Sequence, residues 1–232
     1  MGSSNKHPEQ TLLDAIENRE DNKEFISGGR LLPERTLALK LGISRARLRQ
    51  VLGELEQSGS VFRRQGQGTF VAPPPAADAG RIRILAGRIT PRDVMEVRLE
   101  IEPALAALAA ERASVDELKL LGQLMQATLD ARDTTTYETA DEIFHYKIAE
   151  IAHNPLFLNI YNEIREVRKQ ASWTQERKSA YSKETIFQLG SQHKDLMENI
   201  ASRNSEAAAS VMRIHLLTVS NTLLRHRHYE SS

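Results

Sequence analysis

Four side chains in the second half of the sequence have the types and spacing to hold a metal ion. Asp141 and His145 lie one helical turn apart at the edge of the stripe Phe144, Ile148 and Ile151. His193 lies among Leu189, Leu196, Met197 and Ile200, and His215 shares a face with Ala208, Val211 and Val219. Three separate helices thus aim an imidazole or a carboxylate at one bundle interior. Neutral imidazoles with one carboxylate suit a borderline divalent cation, Zn²⁺ first and Ni²⁺ or Mn²⁺ after it. From spacing alone the bland alternative stays open, because a histidine on an apolar face is commonly a hydrogen-bonded core residue. His153, just before Asn154-Pro155, falls outside the pattern and reads as a helix C-terminal residue near free carbonyls.

Arg98 has two readings of its own. It shares an apolar face with Val94, Ile101 and Leu105, with Glu102 one turn later. Either the two form an internal pair, or the guanidinium is a fork that holds a ligand carboxylate above the metal.

A second kind of chemistry is written in the first half. Arg45, Arg47 and Arg49 cluster near the start of a helix whose inward stripe is Leu48, Val51, Leu52 and Leu55. Ser44 can cap that helix. Guanidinium forks beside a positive helix end suit phosphates and guanine edges, although a solvated cationic face is the commoner meaning of an arginine cluster alone.

The elements that must position these groups follow from pattern. Thr11–Arg19 reads as a short amphipathic helix and 22–31 as a loop. Pro33 opens, and Gly42 closes, a helix with the stripe Leu37, Ala38 and Leu41, so a Gly-containing turn joins it to the arginine-bearing helix. Val61–Arg63 and Thr69–Val71 are β-prone runs around Arg64-Gln65-Gly66-Gln67-Gly68, a hairpin with Arg63, Arg64 and Gln65 near its tip. Arginine at such a tip can enter a minor groove. The fold class is therefore mainly α: a winged helix-turn-helix over 1–72, a linker over 73–90 that opens on Pro73-Pro74-Pro75, and an antiparallel all-α bundle over 91–232. The expected bundle helices are about 91–112, 114–131, 134–152, 155–175, 180–203 and 204–227, six in all.

The chain has 232 residues, 31 basic and 31 acidic, but the balance is uneven. Residues 1–29 carry three basic against six acidic side chains, whereas residues 30–72 carry eight against three. The local field around the arginine helix thus has the sign that attracts phosphates. With no cysteine, disulfides and thiolate metal ligands are excluded. No run reaches the roughly 20 apolar residues of a membrane helix. The start of the chain lacks the pattern of an export signal, so a cytoplasmic location is expected.

At this point a family resemblance is specific. Leu31–Val71 resembles the N-terminal winged helix of GntR-type bacterial transcription regulators, through Pro33-Glu34-Arg35, the S-R-x-x-x-R core at Ser44, Arg45 and Arg49, and the G-x-G-T-x-V wing at Gly66, Gly68, Thr69 and Val71. The resemblance implies DNA contacts at Arg35, Ser44, Arg45, Arg49, Gln65 and Gly66, with Arg47 beside them. The usual Ser or Thr between Pro33 and Glu34 is absent, which bears on a helix cap rather than on DNA binding. DEIFHYKIAEIAHNPLF and QHKDLMENI with AAASVMRIHL resemble the FCD effector domain of the FadR branch. That resemblance implies a metal held by Asp141, His145, His193 and His215, and an effector carboxylate held by Arg98. The six-helix count resembles the VanR-like subset more than the seven-helix FadR-like one.

The function expected is that of a homodimeric, ligand-responsive regulator, usually a repressor in this family. It would read double-stranded DNA at an inverted repeat and respond to a small organic acid at the metal. Two rivals remain at this stage. Three histidines and a carboxylate could hold a hydrolytic metal, but catalysis needs a placed general base, and Glu142, the nearest acid, points away from Asp141 and His145. Alternatively the bundle serves only dimerisation and the histidines are core residues.

Overall fold

The computed structural model describes residues 8–17, 24–57, 59–64, 67–73, 79–170 and 181–230. The chain divides into two compact units, Met1–Pro74 and Pro75–Ser232.

In the first unit, α1 (Pro8–Glu17), α2 (Glu34–Leu41) and α3 (Arg45–Gln57) pack on a small antiparallel sheet. The sheet holds β1 (Ile26–Ser27), β2 (Arg30–Leu31), β3 (Phe62–Arg64) and β4 (Gly68–Phe70) in the order β1-β2-β4-β3. Leu12, Leu37, Leu48, Leu52 and Val61 form its core, each at most 1% exposed. Gly42 ends α2 in the left-handed region at φ 67°, where a Cβ would be strained. The Ser44 hydroxyl accepts the Arg47 N–H at 3.1 Å, as the sequence led us to expect for the start of α3. Pro33 precedes α2 without any side-chain cap, consistent with the residue missing from the family pattern. The segment expected to be a loop instead contains β1 and β2. Gly28 and Gly29, at φ 57° and 74°, make the two-residue turn between them. Two-residue strands are too short to leave an alternation in the sequence.

The second unit opens with a helix where the sequence suggested only linker. This helix, α4 (Ala79–Ala86), buries Ile82 against Val94 and Val167. The six helices expected after Pro91 follow it: α5 (Pro91–Arg112), α6 (Val115–Asp130), α7 (Thr134–Ile151), α8 (Pro155–Gln170), α9 (Lys183–Ala201) and α10 (Ser205–Glu230). Counting α4, seven helices are described in this unit, the number associated above with the FadR-like subset. Thr90, Ser114 and Asp133 each close a capping box at the start of α5, α6 and α7, and Ser182 caps α9. Helix ends are also closed from afar. Arg203 donates to the carbonyl of Ala110 at 3.0 Å and to that of Ala113, and Arg112 donates to that of Ala152 at 2.7 Å. These pins fix the axial positions of α5, α7 and α10, the helices that carry Glu102, His145 and His215. No described helix is long and apolar enough to cross a membrane.

Candidate metal centre and nucleic-acid interface

Asp141 and His145 on α7, His193 on α9 and His215 on α10 converge in the bundle, all four buried, with one potential ligand atom from each within 4.8 Å of the others. The converging atoms are three Nε2 and one carboxylate oxygen. His193 Nε2 lies 3.2 Å from His145 Nε2 and 3.3 Å from His215 Nε2. Asp141 Oδ1 lies 3.5, 3.4 and 3.8 Å from Nε2 of His145, His193 and His215 respectively.

The opposite ring nitrogens show what these atoms carry. His145 Nδ1 is 2.7 Å from Glu102 Oε2. Burial would raise the Glu102 carboxyl, but Arg98 and His145 outweigh it and hold it at about 2. The carboxylate can only accept, so His145 carries a proton on Nδ1, and with its ring neutral the Nε2 lone pair is left for a ligand. Thr128 Oγ1 donates to the carbonyl of Met125 at 2.7 Å, and therefore accepts from His193 Nδ1 at 3.1 Å. His193 too presents a lone pair at Nε2. With both rings neutral, the 3.2 Å approach of these two Nε2 atoms sets lone pair against lone pair, beside a carboxylate. Burial lowers the pKa of His193, and that of His215 well below the usual histidine value, so neutral imidazoles are favoured. Burial opposes the Asp141 charge, yet positive charge at the surrounding histidines, His145 first, would hold its carboxyl well below the usual range.

A shared cation converts this set of facing lone pairs from repulsive to attractive. Four donors about 2.0–2.1 Å from one Zn²⁺ ion would stand roughly 3.3–3.4 Å apart if tetrahedral, close to the five separations above, with the sixth pair within 4.8 Å. The donor set therefore fits a divalent ion of that class. Rings around the site fix the imidazole planes: Tyr137 stacks on His193 at 6.1 Å and 7°, and Phe144 lies 4.8 Å from it.

Arg98 is 1% exposed and forms a bidentate pair with Glu102, with Nη2 to Oε2 at 3.2 Å. Of the two readings open from sequence, this is the internal pair. Glu102 nonetheless does more than neutralise Arg98, since it also orients His145. Sequence reasoning noticed Glu102 only as a partner for Arg98. Its one-turn spacing from Arg98 on an apolar face was the available signal for a wider role. Thr128 left none. Glu142 faces α8, with its Oε1 2.8 Å from Arg165 and 2.7 Å from Lys169, so the nearest acid in sequence is engaged elsewhere. His153 sits just past α7 at φ 48° and pairs with Glu117 at 3.2 Å, outside the centre.

On the first unit, Arg35, Arg45, Arg47 and Arg49 are all exposed. Arg49 pairs with Glu34 at 2.8 Å, and Arg47 reaches Gln50 at 3.0 Å. Arg63 leans on the arginine helix, 3.4 Å from the Arg49 carbonyl and 3.5 Å from Glu56. Ser44 serves as the cap of α3. Gln65 and Gly66 lie outside the described residues. Gly68 opens β4 at φ 106°, where a Cβ would stand 2.6 Å from Arg30 Nε, so an arginine not singled out in the sequence lies across the wing.

Comparison with known proteins matches the two parts of the chain to two family models. Residues 8–71 match the model of the bacterial regulatory proteins of the gntR family, and residues 93–218 match that of the FCD domain. A regulatory protein of Escherichia coli (strain K12) named for the L-lactate dehydrogenase operon is 30% identical over 222 residues, 92% of this chain and 85% of its own length. The HTH-type transcriptional regulator LutR of Bacillus subtilis (strain 168) is 26% identical over 213 residues, 87% of this chain and 94% of its own. The HTH-type transcriptional repressor NanR of Citrobacter rodentium (strain ICC168) is 26% identical over 222 residues, 92% and 84% of the two chains. Among solved structures, E. coli McbR/YncC shares the fold, with a TM-score of 0.53 and 15% identity over 97% of this chain and 99% of that one.

Proposed function

Because this chain belongs to the GntR family of bacterial regulatory proteins and carries an FCD domain, we propose that it is a metal-dependent, effector-responsive repressor. It binds an inverted-repeat operator as a homodimer and releases it when a small organic acid occupies the second unit. The coarser part of this statement, a DNA-binding transcription regulator rather than an enzyme, follows from the family. The metal, the effector and the dimer are our reading.

The observation that carries the reading is the convergence of three buried imidazole Nε2 atoms on the Asp141 carboxylate, with Glu102 and Thr128 bonded to the opposite nitrogens of His145 and His193. Glu102 and Thr128 spend hydrogen bonds to create that arrangement, which makes little sense in a merely structural core. Asp141, His145, His193 and His215 would hold the ion, and Zn²⁺, Ni²⁺ or Mn²⁺ suits the donors. The bound ion would supply a positive centre for an effector carboxylate. Arg98 would contribute to that side of the cavity through its field, its fork being engaged by Glu102.

On the DNA side, Arg45 and Arg49 would reach base edges from α3, while Arg35, Arg47 and the wing, with Ser44, Gln65 and Gly66, hold the backbone. Arg49 must exchange Glu34 for DNA. An exposed ion pair is worth about 0–1 kcal/mol, so the exchange costs little. One winged helix offers too small a surface for strong specificity, and a two-fold dimer doubles it.

The test is joint. Protein purified without chelators is assayed for metal, for mass in solution and for operator binding, beside Arg49→Ala and His193→Ala. Arg49→Ala should lose about 1–3 kcal/mol at the operator and keep its metal. His193→Ala should lose the metal and keep operator binding within a few-fold. A His193→Ala protein with a stoichiometric metal would overturn the site, and unchanged operator affinity in a folded Arg49→Ala would overturn the interface.

A further inference from the structure

The small sheet of the first unit holds an arginine whose place depends on a glycine. Arg30 on β2 stands opposite Phe70 of β4, but its side chain does not stay at that rung. A Cβ on Gly68 would stand 2.6 Å from Arg30 Nε, 2.9 Å from Nη2 and 3.1 Å from Cζ, so the guanidinium lies against the bare α-carbon of Gly68. Gly68 is two residues along β4 from Phe70, about 7 Å at strand spacing. It pairs with Arg64 in the last rung before β3 turns into β4. Arg30 thus runs along the strand and carries its charge toward the turn end of the wing. A side chain at position 68 would force the guanidinium away.

Strand alternation separates the two faces of this sheet. Leu31 and Val71 point into the core of the first unit. Arg63, opposite Thr69, is on their side, with Nη2 3.4 Å from the Arg49 carbonyl and Nε 3.5 Å from Glu56 of α3. Arg30, Gly68 and Phe70 fall on the other face. The two arginines therefore flank the wing, Arg63 toward the arginine-bearing helix and Arg30 away from it. Arg30 is exposed and, among the described residues, has neither a hydrogen bond nor an ion pair. A guanidinium carries five N–H donors and a permanent charge, and here both are open to whatever approaches that face. A wing that enters a minor groove has a phosphate backbone on each side of it. We propose that Arg30 is a further DNA-contacting residue, which binds a backbone phosphate on the face of the wing turned away from α3. This rests on the reading of the first unit as the DNA-binding part, and adds to it a residue outside both α3 and the β3–β4 hairpin. Because Arg30 reaches only the last rung before the turn, a phosphate suits it better than a base edge, so it contributes affinity rather than sequence choice.

The experiment uses the full-length protein and two duplexes, one enriched from a randomised pool by the wild-type chain and one with the same bases scrambled. Binding is followed by fluorescence anisotropy between about 50 and 200 mM NaCl. Arg30→Gln should weaken binding to both duplexes alike, about three- to tenfold, and lower the slope of log affinity against log salt by about 0.9 for each protomer bound. Arg30→Lys keeps the charge and should keep the wild-type slope. Both variants should unfold at the wild-type temperature, since Arg30 is exposed and gives up no bond to a described residue. Arg49→Ala, run beside them, should instead lose the preference for the enriched duplex. That contrast keeps the two readings apart: if Arg49→Ala retains the wild-type preference, base reading by α3 fails, whereas Arg30 is judged by its own salt slope. An unchanged slope in Arg30→Gln would overturn the inference, and so would a loss confined to the enriched duplex. An Arg30→Gln protein that melts several degrees lower with the slope unchanged would make Arg30 a prop of the wing, which also overturns it.

Discussion

Replacing Glu102 by Gln tests the architecture of the centre without touching any of the four candidate ligands. The side chain keeps its shape but loses its charge, and Glu102 has two dependants. Arg98, 1% exposed, would keep a positive charge with no counter-ion, and removing one partner of a buried pair costs about 3–5 kcal/mol. His145 would lose the carboxylate that fixes its proton on Nδ1, and loss of such a partner typically weakens metal binding about 10–100-fold, or roughly 1.4–2.7 kcal/mol. Glu102→Gln should therefore melt roughly 10 °C lower and bind Zn²⁺ about 10–100-fold more weakly. The two effects separate in a double variant. Arg98→Met with Glu102→Gln removes both charges of the buried pair, so most of the lost stability should return while metal binding stays weak. Thermal denaturation of the metal-free proteins and competitive titration against a chromophoric chelator measure the two quantities. Wild-type metal affinity in Glu102→Gln, or a double variant no more stable than the single one, would refute the reasoning.

Three further outcomes are expected. Acid should destabilise the second unit: His193 and His215 titrate below 6.5 when folded but near it when unfolded, so the unfolded chain binds more protons in that window and stability is lost as pH falls from about 6.5. Bound metal should sharpen this loss, because ligation needs neutral imidazole; a stability profile flat from pH 7 to pH 5 would contradict it. Thr128→Val should keep the fold but lower metal affinity about tenfold by releasing the His193 tautomer, read by the same chelator competition. Gly68→Ala should cost about 1–2 kcal/mol, because φ 106° disfavours any Cβ and Arg30 must move aside; chemical denaturation and DNA affinity would both register it.

Much of the fold was legible because its signals are local. The helices of the second unit announce themselves through capping residues: Ser114 and Asp133 cap where helices were expected to start, and Ser182 sets the start of α9 a few residues after the expected one. Gly42 and Ser44 place the turn before α3 in the same way. The helix α4 was hidden by the proline run that precedes it: eight residues with one deeply buried side chain, Ile82, give too weak a periodicity to compete with a linker composition. The four candidate ligands were legible as types on apolar stripes, since a histidine there must find a partner. Their partners were not, for Thr128 stands among apolar neighbours like many core threonines and is brought to His193 only by the packing of α6 on α9.

Most of the exceptions to pattern lie together, and that is itself an argument about function. Elsewhere in the second unit the stripes are mainly Leu, Ile, Val and Ala, with Arg165 of α8 buried against Glu142 and Glu166. Around α5, α7, α9 and α10 the same stripes carry Arg98, Glu102, Asp141, His145, His193 and His215, all buried. Replacing a buried ion pair with hydrophobic residues of similar volume commonly leaves stability unchanged or improves it, so stability alone does not explain the arrangement. Sequences keep local rules where folding is the only demand and break them at sites with another task. Here each broken rule has a directional consequence: Arg98 charges Glu102, Glu102 sets the tautomer of His145, Thr128 sets that of His193, and both imidazoles face Asp141 with lone pairs outward. Together these contacts leave imidazole nitrogens and one carboxylate facing a single interior position. A divalent cation is the occupant we propose there, because that donor set suits it despite the nearby Arg98 charge.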